Sequence, residues 1–275
     1  EFMKLAMIIF ISKYLTLNEK KVKKNCFKIL LVILSIFGLI MLQPDFGTGI
    51  VITMIGISML YVAGVNMKFF IKLGLLGIIG IVILIIIAPY RLKRIVSFLN
   101  PWSDPLGSGF QIIMSLYAIG PGGLFGYGLG NSRQKHFYLP EPQTDFIFSI
   151  ILEELGFMGC IIVVTLFLGI IISGFIISKK CNNLFGKYVS FGITFWIAFQ
   201  SILNLFVVVG LIPVTGVTLP FLSYGGSSLL ILYIGVAIMF MMVSGIFTYI
   251  GLIFGNKLSE KFGKYATIVG GIVRL

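Results

Sequence analysis

Two carboxylates, Glu141 and Asp145, stand one helical turn apart in YLPEPQTDFIFSIILEE, residues 138–154, where a polar loop runs into an apolar helix. Thr144 reads as the N-cap, which puts Asp145 in the first helical turn. Free backbone N–H groups and the positive end of the helix dipole favour an ionised carboxylate there. Asp145 then either caps the helix or works in a site at the membrane face, and the residues alone leave both readings open. Glu153 and Glu154 follow about two turns into the helix, and at least one of them is expected to face the bundle interior, because a lipid-facing carboxylate is costly.

Other polar groups gather at breaks in the apolar pattern. QPDFGTG, with Gln43 and Asp45, interrupts two short apolar runs. Such a break either lines a wet cavity or is a tight hairpin at the surface. Arg91, Lys93, Arg94, Arg133 and Lys135 crowd the segment 89–144. They suit an anion such as a phosphate-bearing lipid, although long loops also cross membranes regardless of charge. The same segment holds NPWSDPLGSGFQ and GPGGLFGYGLGNS. Its glycines permit tight turns and close backbone approach to a ligand. The lone His136 has no evident partner and is read as a loop residue. Trp102 reads as an interfacial anchor and Trp196 as a packing residue. LIPVTGVTLPFLSYGGSS, residues 211–228, carries no charge and reads as a re-entrant or capping loop.

Composition says what must position these groups. The chain is 58% hydrophobic and 11% charged, with a mean hydropathy of +1.09. That excludes a soluble domain and implies an all-α polytopic membrane protein. The formal net charge is +12, but the Lys and Arg sit mostly in short loops. This is the pattern of topology signals and of contact with anionic lipid, not of nucleic-acid binding. Cys26, Cys160 and Cys181 show no metal spacing, and no disulfide is expected. Apolar runs mark seven crossings, near 2–17, 29–43, 48–66, 70–88, 146–178, 188–210 and 227–250. Basic clusters follow the first, third, fifth and seventh, so that side is cytoplasmic and residues 89–144 form a large outer loop.

The breaks together resemble the SEDS family (shape, elongation, division and sporulation; FtsW, RodA and SpoVE). The matching pieces, in the family's order, are EFMKLA, QPDFGTG, NPWSDPLGSGFQ, SLYAIGPGG, GLGNSRQKHFYLPEPQTDFIF, EELG and LIPVTGVTLPFLSYGGSS. They cover residues 1–245. Gln111, Ser115–Leu116 and Gln134–Lys135 lean toward the division and sporulation branch. The resemblance implies a ten-helix membrane glycosyltransferase that polymerises peptidoglycan from lipid II outside the cytoplasmic membrane. The seven crossings would be its fourth to tenth, so the chain as written is expected to insert but polymerise nothing. Residues 246–275 depart from the family's usual end and are set apart as an atypical tail.

The resemblance makes Asp145 the essential aspartate, either as general base or as ligand of an Mg or Mn ion. Glu141, Asp45 and Gln43 become supporting groups. Arg91, Arg94, Arg133 and Lys135 become binders of the leaving diphosphate. The implied partners are lipid II, the bilayer and a class B penicillin-binding transpeptidase. The alternatives are a lipid II flippase and a non-catalytic scaffold for that transpeptidase.

Overall fold

The computed structural model describes residues 1–43, 45–87, 96–135 and 139–242. Among these there is no strand. Among them, eight helices of ten or more residues carry the fold. In order they are α1 (Phe2–Leu17), α2 (Val22–Met41), α3 (Phe46–Val62), α4 (Met67–Ile87), α5 (Phe110–Ile119), α6 (Ile147–Lys180), α7 (Leu184–Val208) and α8 (Gly226–Met242). Seven of them coincide with the apolar runs read from the sequence. The additional one, α5, lies inside the long loop. Among the described residues, α6 and α7 are the two helices long and apolar enough to cross a bilayer on their own composition.

The main core forms where helical spacing stacks branched side chains on one face. Ile8, Ile11 and Leu15 of α1 meet Ile29 and Ile33 of α2. Ile52, Ile55 and Met59 of α3 and Ile193, Trp196 and Ile197 of α7 complete it, with Ile231 and Leu232 of α8. Small residues let the helices close. A Cβ on Gly56 would lie 2.4 Å from Ile33 Cδ1, and one on Gly192 would lie 2.7 Å from Ile8 Cγ2. Close packing at small residues is the usual cement of helices in lipid, where burial supplies little driving force. A second core joins Leu139, Phe146, Phe148 and Leu152 to Val207, Val208 and Leu219. Ser115 of α5 donates to Val208 O at 2.7 Å and shares a 2.7 Å bond with Ser149 of α6, which locks three helices together at one end of the bundle.

The 34 residues of α6 do not run straight. Gly156 breaks the helical dihedrals at φ 64°, ψ −157°. The piece before it holds the loop of residues 122–135. The piece after it presents exposed Ile161, Ile162, Leu166, Ile172 and Ile176, a face suited to lipid.

Candidate functional site

The breaks singled out in the sequence converge at one end of the bundle. The start of α1, the start of α3, the approach to α6 and the end of α7 all lie there, and residues 211–225 run across them without helix. A Cβ on Gly47 would sit 2.2 Å from Thr215 O, so QPDFGTG and the 211–225 loop touch backbone to backbone. Tyr224 N donates to Gln143 O at 2.8 Å, and Ser223 Oγ donates to Thr144 O. The loop thus roofs the TDF turn, and Asp145 Oδ2 lies 3.7 Å from where a Cβ on Gly216 would be.

Asp145 itself sits differently from the expectation. Residues 142–146 form turns and α6 begins at Ile147, with Phe146 at the N-cap position. Thr144 does not cap; its hydroxyl turns back to Glu141 O and Oε2, at 3.3 and 3.1 Å. Glu141, at φ 52°, reverses the chain so that the turn can fold under the roof. Asp145 is therefore held before the helix rather than in it. Asn204 of α7 fixes it, donating Nδ2 to Asp145 O at 2.7 Å and to Val217 O at 2.8 Å. The electrostatics also differ. Burial first, then the nearby charges of Glu141 and Asp45, raise the Asp145 carboxyl above the ordinary aspartate value. Loss of solvation and like charge outweigh the helix-end stabilisation expected from the sequence.

Asp45 caps α3, accepting from Thr48 N at 3.0 Å. It is an exposed structural carboxylate that still bears electrostatically on Asp145. Gln43 is exposed in the turn before it. Arg133 and Lys135 lie in the loop that folds onto the first turns of α6. Lys135 Nζ pairs with Glu154 at 3.0 Å and also donates to Gly130 O. The Arg133 guanidinium stands 5.2 Å over the Tyr127 ring. Glu153 is buried, accepting from Ser132 Oγ and from the backbone N–H groups of Arg133 and Gln134. It anchors the loop rather than facing the core of the bundle. Arg91, Arg94 and His136 lie outside the described residues, as does the 246–275 tail.

Two of the glycines in 120–130, Gly122 and Gly126, lie against the backbone of α6. A Cβ on Gly122 would meet Leu152 O at 2.4 Å, and one on Gly126 would meet Glu154 O at 2.2 Å. Tyr127 N and Gly128 N then donate to the Glu153 and Glu154 carbonyls, at 3.0 and 2.9 Å.

A buried polar cluster beside Asp45 was not read from the sequence. Lys4 of α1 is 1% exposed, pairs with Glu1 at 2.8 Å, donates to Gln200 Oε1 at 3.0 Å and lies 5.6 Å from the Trp196 ring centroid. Trp196 Nε1 donates to the same Gln200 oxygen at 2.7 Å, and the Gln200 amide reaches Thr218 O at 2.9 Å. The signal available was a Lys inside an apolar helix, which demands a partner. Trp196 is a packing residue, as expected, with its ring nitrogen bonded.

The family model described as cell cycle protein, covering FtsW, RodA and SpoVE, matches residues 1–268. The chain belongs to the SEDS family. This SEDS protein is 54% identical over 242 residues to stage V sporulation protein E of Bacillus subtilis (strain 168), covering 87% of the chain and 66% of that relative. It is 42% identical to the probable peptidoglycan glycosyltransferase FtsW of Aliivibrio salmonicida (strain LFI1238), covering 87% and 61%. The chain thus spans slightly under two thirds of the length of these relatives. Among solved structures, it superposes on a chain of a peptidoglycan synthase complex that coordinates polymerization and crosslinking. The TM-score is 0.68 at 29% identity, with 86% of this chain and 67% of that one covered. The rod shape determining protein RodA of Thermus thermophilus gives 0.59 at 26% identity, with 86% and 62% covered. The SEDS chain is accordingly a membrane protein, helical throughout its described residues.

Proposed function

We propose that this SEDS protein polymerises lipid II into β-1,4 glycan at the outer face of the bacterial cytoplasmic membrane, in division or sporulation, with seven of its helices crossing the bilayer. The observation that carries the reading is the setting of Asp145. It is a half-buried carboxylate under an uncharged, largely apolar roof, held by its backbone to Asn204, with its affinity for protons raised by burial and two neighbouring carboxylates.

The chemistry follows from the bonds exchanged. Lipid II joins MurNAc to an undecaprenyl diphosphate through an α linkage, and the product linkage is β. One in-line displacement inverts the anomeric carbon. The acceptor 4-hydroxyl gives up its proton, its oxygen bonds that carbon, and the diphosphate departs with the bonding pair. Diphosphate is a good leaving group, so a single base suffices. Asp145 takes the proton, and its raised affinity makes that transfer more favourable than to an ordinary aspartate. Asn204 and the 211–225 roof fix the base and limit water. Arg133 receives the diphosphate, since stacking on Tyr127 leaves its N–H edges available, whereas Lys135 must first release Glu154. Arg91 and Arg94 are assigned the same task. Lys4, buried beside Asp45, offsets the negative charge of the carboxylate group.

Asp145 is also the group an Mg or Mn ion would use. Among the described residues, however, no three His, Cys, Asp or Glu side chains converge as a ligand set. The partner that fits is a class B penicillin-binding transpeptidase, whose membrane helix would lie on the exposed face of α6. The test is direct. A full-length SEDS protein carrying these residues, purified with such a partner and given fluorescent lipid II, is expected to yield a ladder of glycan chains. Lipid II moved across vesicles with no polymer formed would instead identify a flippase.

A further inference from the structure

A cavity of about 290 Å³ opens beside the roofed carboxylate. It is lined by Leu106, Ser108, Phe110 and Gln111 at the start of α5, and by Pro140 and Val214. Pro140 directly precedes Glu141, and Val214 lies two residues before Gly216, which faces Asp145. The cavity therefore shares its walls with both loops that build the Asp145 site. No lining residue carries a charge. Its volume is at the small end of ligand pockets, enough for one ring-sized piece of a ligand and not for a whole lipid-linked disaccharide.

The walls combine an aromatic ring with amide and hydroxyl groups. Ser108 is fixed from behind: its N–H and Oγ both donate to Asp104 Oδ2, at 3.0 and 2.9 Å, and Ser97 Oγ donates to Ser108 Oγ. Its oxygen then has one lone pair left with which to accept. Gln111 is half-buried, and its amide makes no hydrogen bond to a described residue. It offers two donors and an acceptor to whatever fills the cavity. Among the described lining residues a diphosphate would find no cation, and an acyl chain would strand the amide. A neutral ring with an apolar face and amide and hydroxyl substituents satisfies every wall.

We propose that this cavity is the subsite for an uncharged N-acetylated hexosamine, the acceptor end of the growing glycan, with Gln111 as its specificity-determining side chain. The proposal rests on the glycosyltransferase reading for its choice of sugar, and on the lining alone for its ligand chemistry. The occupant is positioned so that its hydroxyl lies toward the Asp145 turn.

The probe is N,N′-diacetylchitobiose, which lacks lipid, diphosphate and charge. Binding to the purified protein is read by saturation-transfer NMR, and a diazirine-bearing form is cross-linked and located by mass spectrometry. Adducts are expected within residues 106–112 or at Val214. Gln111→Leu keeps the side-chain volume while removing the amide, and is expected to weaken binding about fivefold, the worth of one hydrogen bond. In the lipid II assay the same variant is expected to raise KM with kcat little changed. No saccharide binding, adducts only elsewhere, or undiminished binding by a folded Gln111→Leu protein would overturn the subsite. If the wild type makes no polymer yet chitobiose still labels the cavity, the polymerase reading falls and the subsite stands. If polymerisation proceeds with KM unaffected by Gln111→Leu, the subsite falls and the polymerase reading stands.

Discussion

Replacing Asn204 with Leu separates the placement of Asp145 from its chemistry. Asn204 is 1% exposed and touches both loops of the site through one nitrogen, at 2.7 Å to Asp145 O and 2.8 Å to Val217 O. Leu fills similar space without a donor, so the cost falls on the two stranded carbonyl groups rather than on a cavity. Each costs about 1.5 kcal/mol when left unpaired. The Asn204 Oδ1 atom has no hydrogen-bond partner among the described residues, and its removal returns about 1 kcal/mol. The net expectation is a destabilisation of about 2 kcal/mol, read as a melting temperature lower by several degrees in detergent. The effect on rate is larger. Once released, the turn lets the base drift, and a displacement of about 1 Å costs on the order of 100-fold. Lipid II polymerisation kinetics are therefore expected to show a collapsed kcat with a nearly unchanged KM. A variant that melts and polymerises like the wild type would refute the assignment of Asn204 as the positioning side chain.

Three further outcomes follow from the geometry. The acid limb of kcat/KM is expected above the ordinary aspartate value of about 3.9, because Asp145 must lose its proton to act. Glu141→Gln and Asp45→Asn each remove a like charge that raises Asp145, so both should move that limb to lower pH; a limb that stays put or moves upward contradicts the coupling. Gly156→Ala should destabilise the outer loop by about 1–3 kcal/mol, since φ is +64° and the new Cβ would lie 2.5 Å from Gly126 N; faster proteolysis within residues 123–135 is the readout, and wild-type resistance would refute it. An Asn131→Cys protein in intact cells should react with a membrane-impermeant maleimide while native Cys181 does not, and the opposite pattern would invert the topology.

The helices were legible because apolar residues dominate each run, the short ones included, and seven runs coincide with helices among the described residues. What the sequence missed was how breaks meet. Asp45 reads as a turn residue, yet Thr48 three positions later makes it a cap. Glycines at 122 and 126 looked like ligand-binding turns, because nothing local says that their partner is the backbone of α6, which lies some thirty residues on. Asp145 was expected inside a helix with its charge favoured. The turn at Glu141 and the roof from 211–225 are tertiary features, and they reverse the electrostatics. The Lys4–Gln200 pair joins residues 196 positions apart, and no periodicity in either helix announces it.

The most direct measurement is lipid II polymerisation by an Asp145→Asn protein beside the wild type, with melting followed in the same preparations. Asn keeps the shape and the backbone bond to Asn204. Because burial and like charge raise the Asp145 pKa, the native state holds this proton more tightly than the unfolded chain does. The stability it contributes is full at low pH and is lost as pH rises through the raised value. At neutral pH the Asn protein should therefore melt no lower than the wild type. It should make no glycan chains while still binding lipid II. Wild-type-like polymer from the Asn protein would show that Asp145 is not the base.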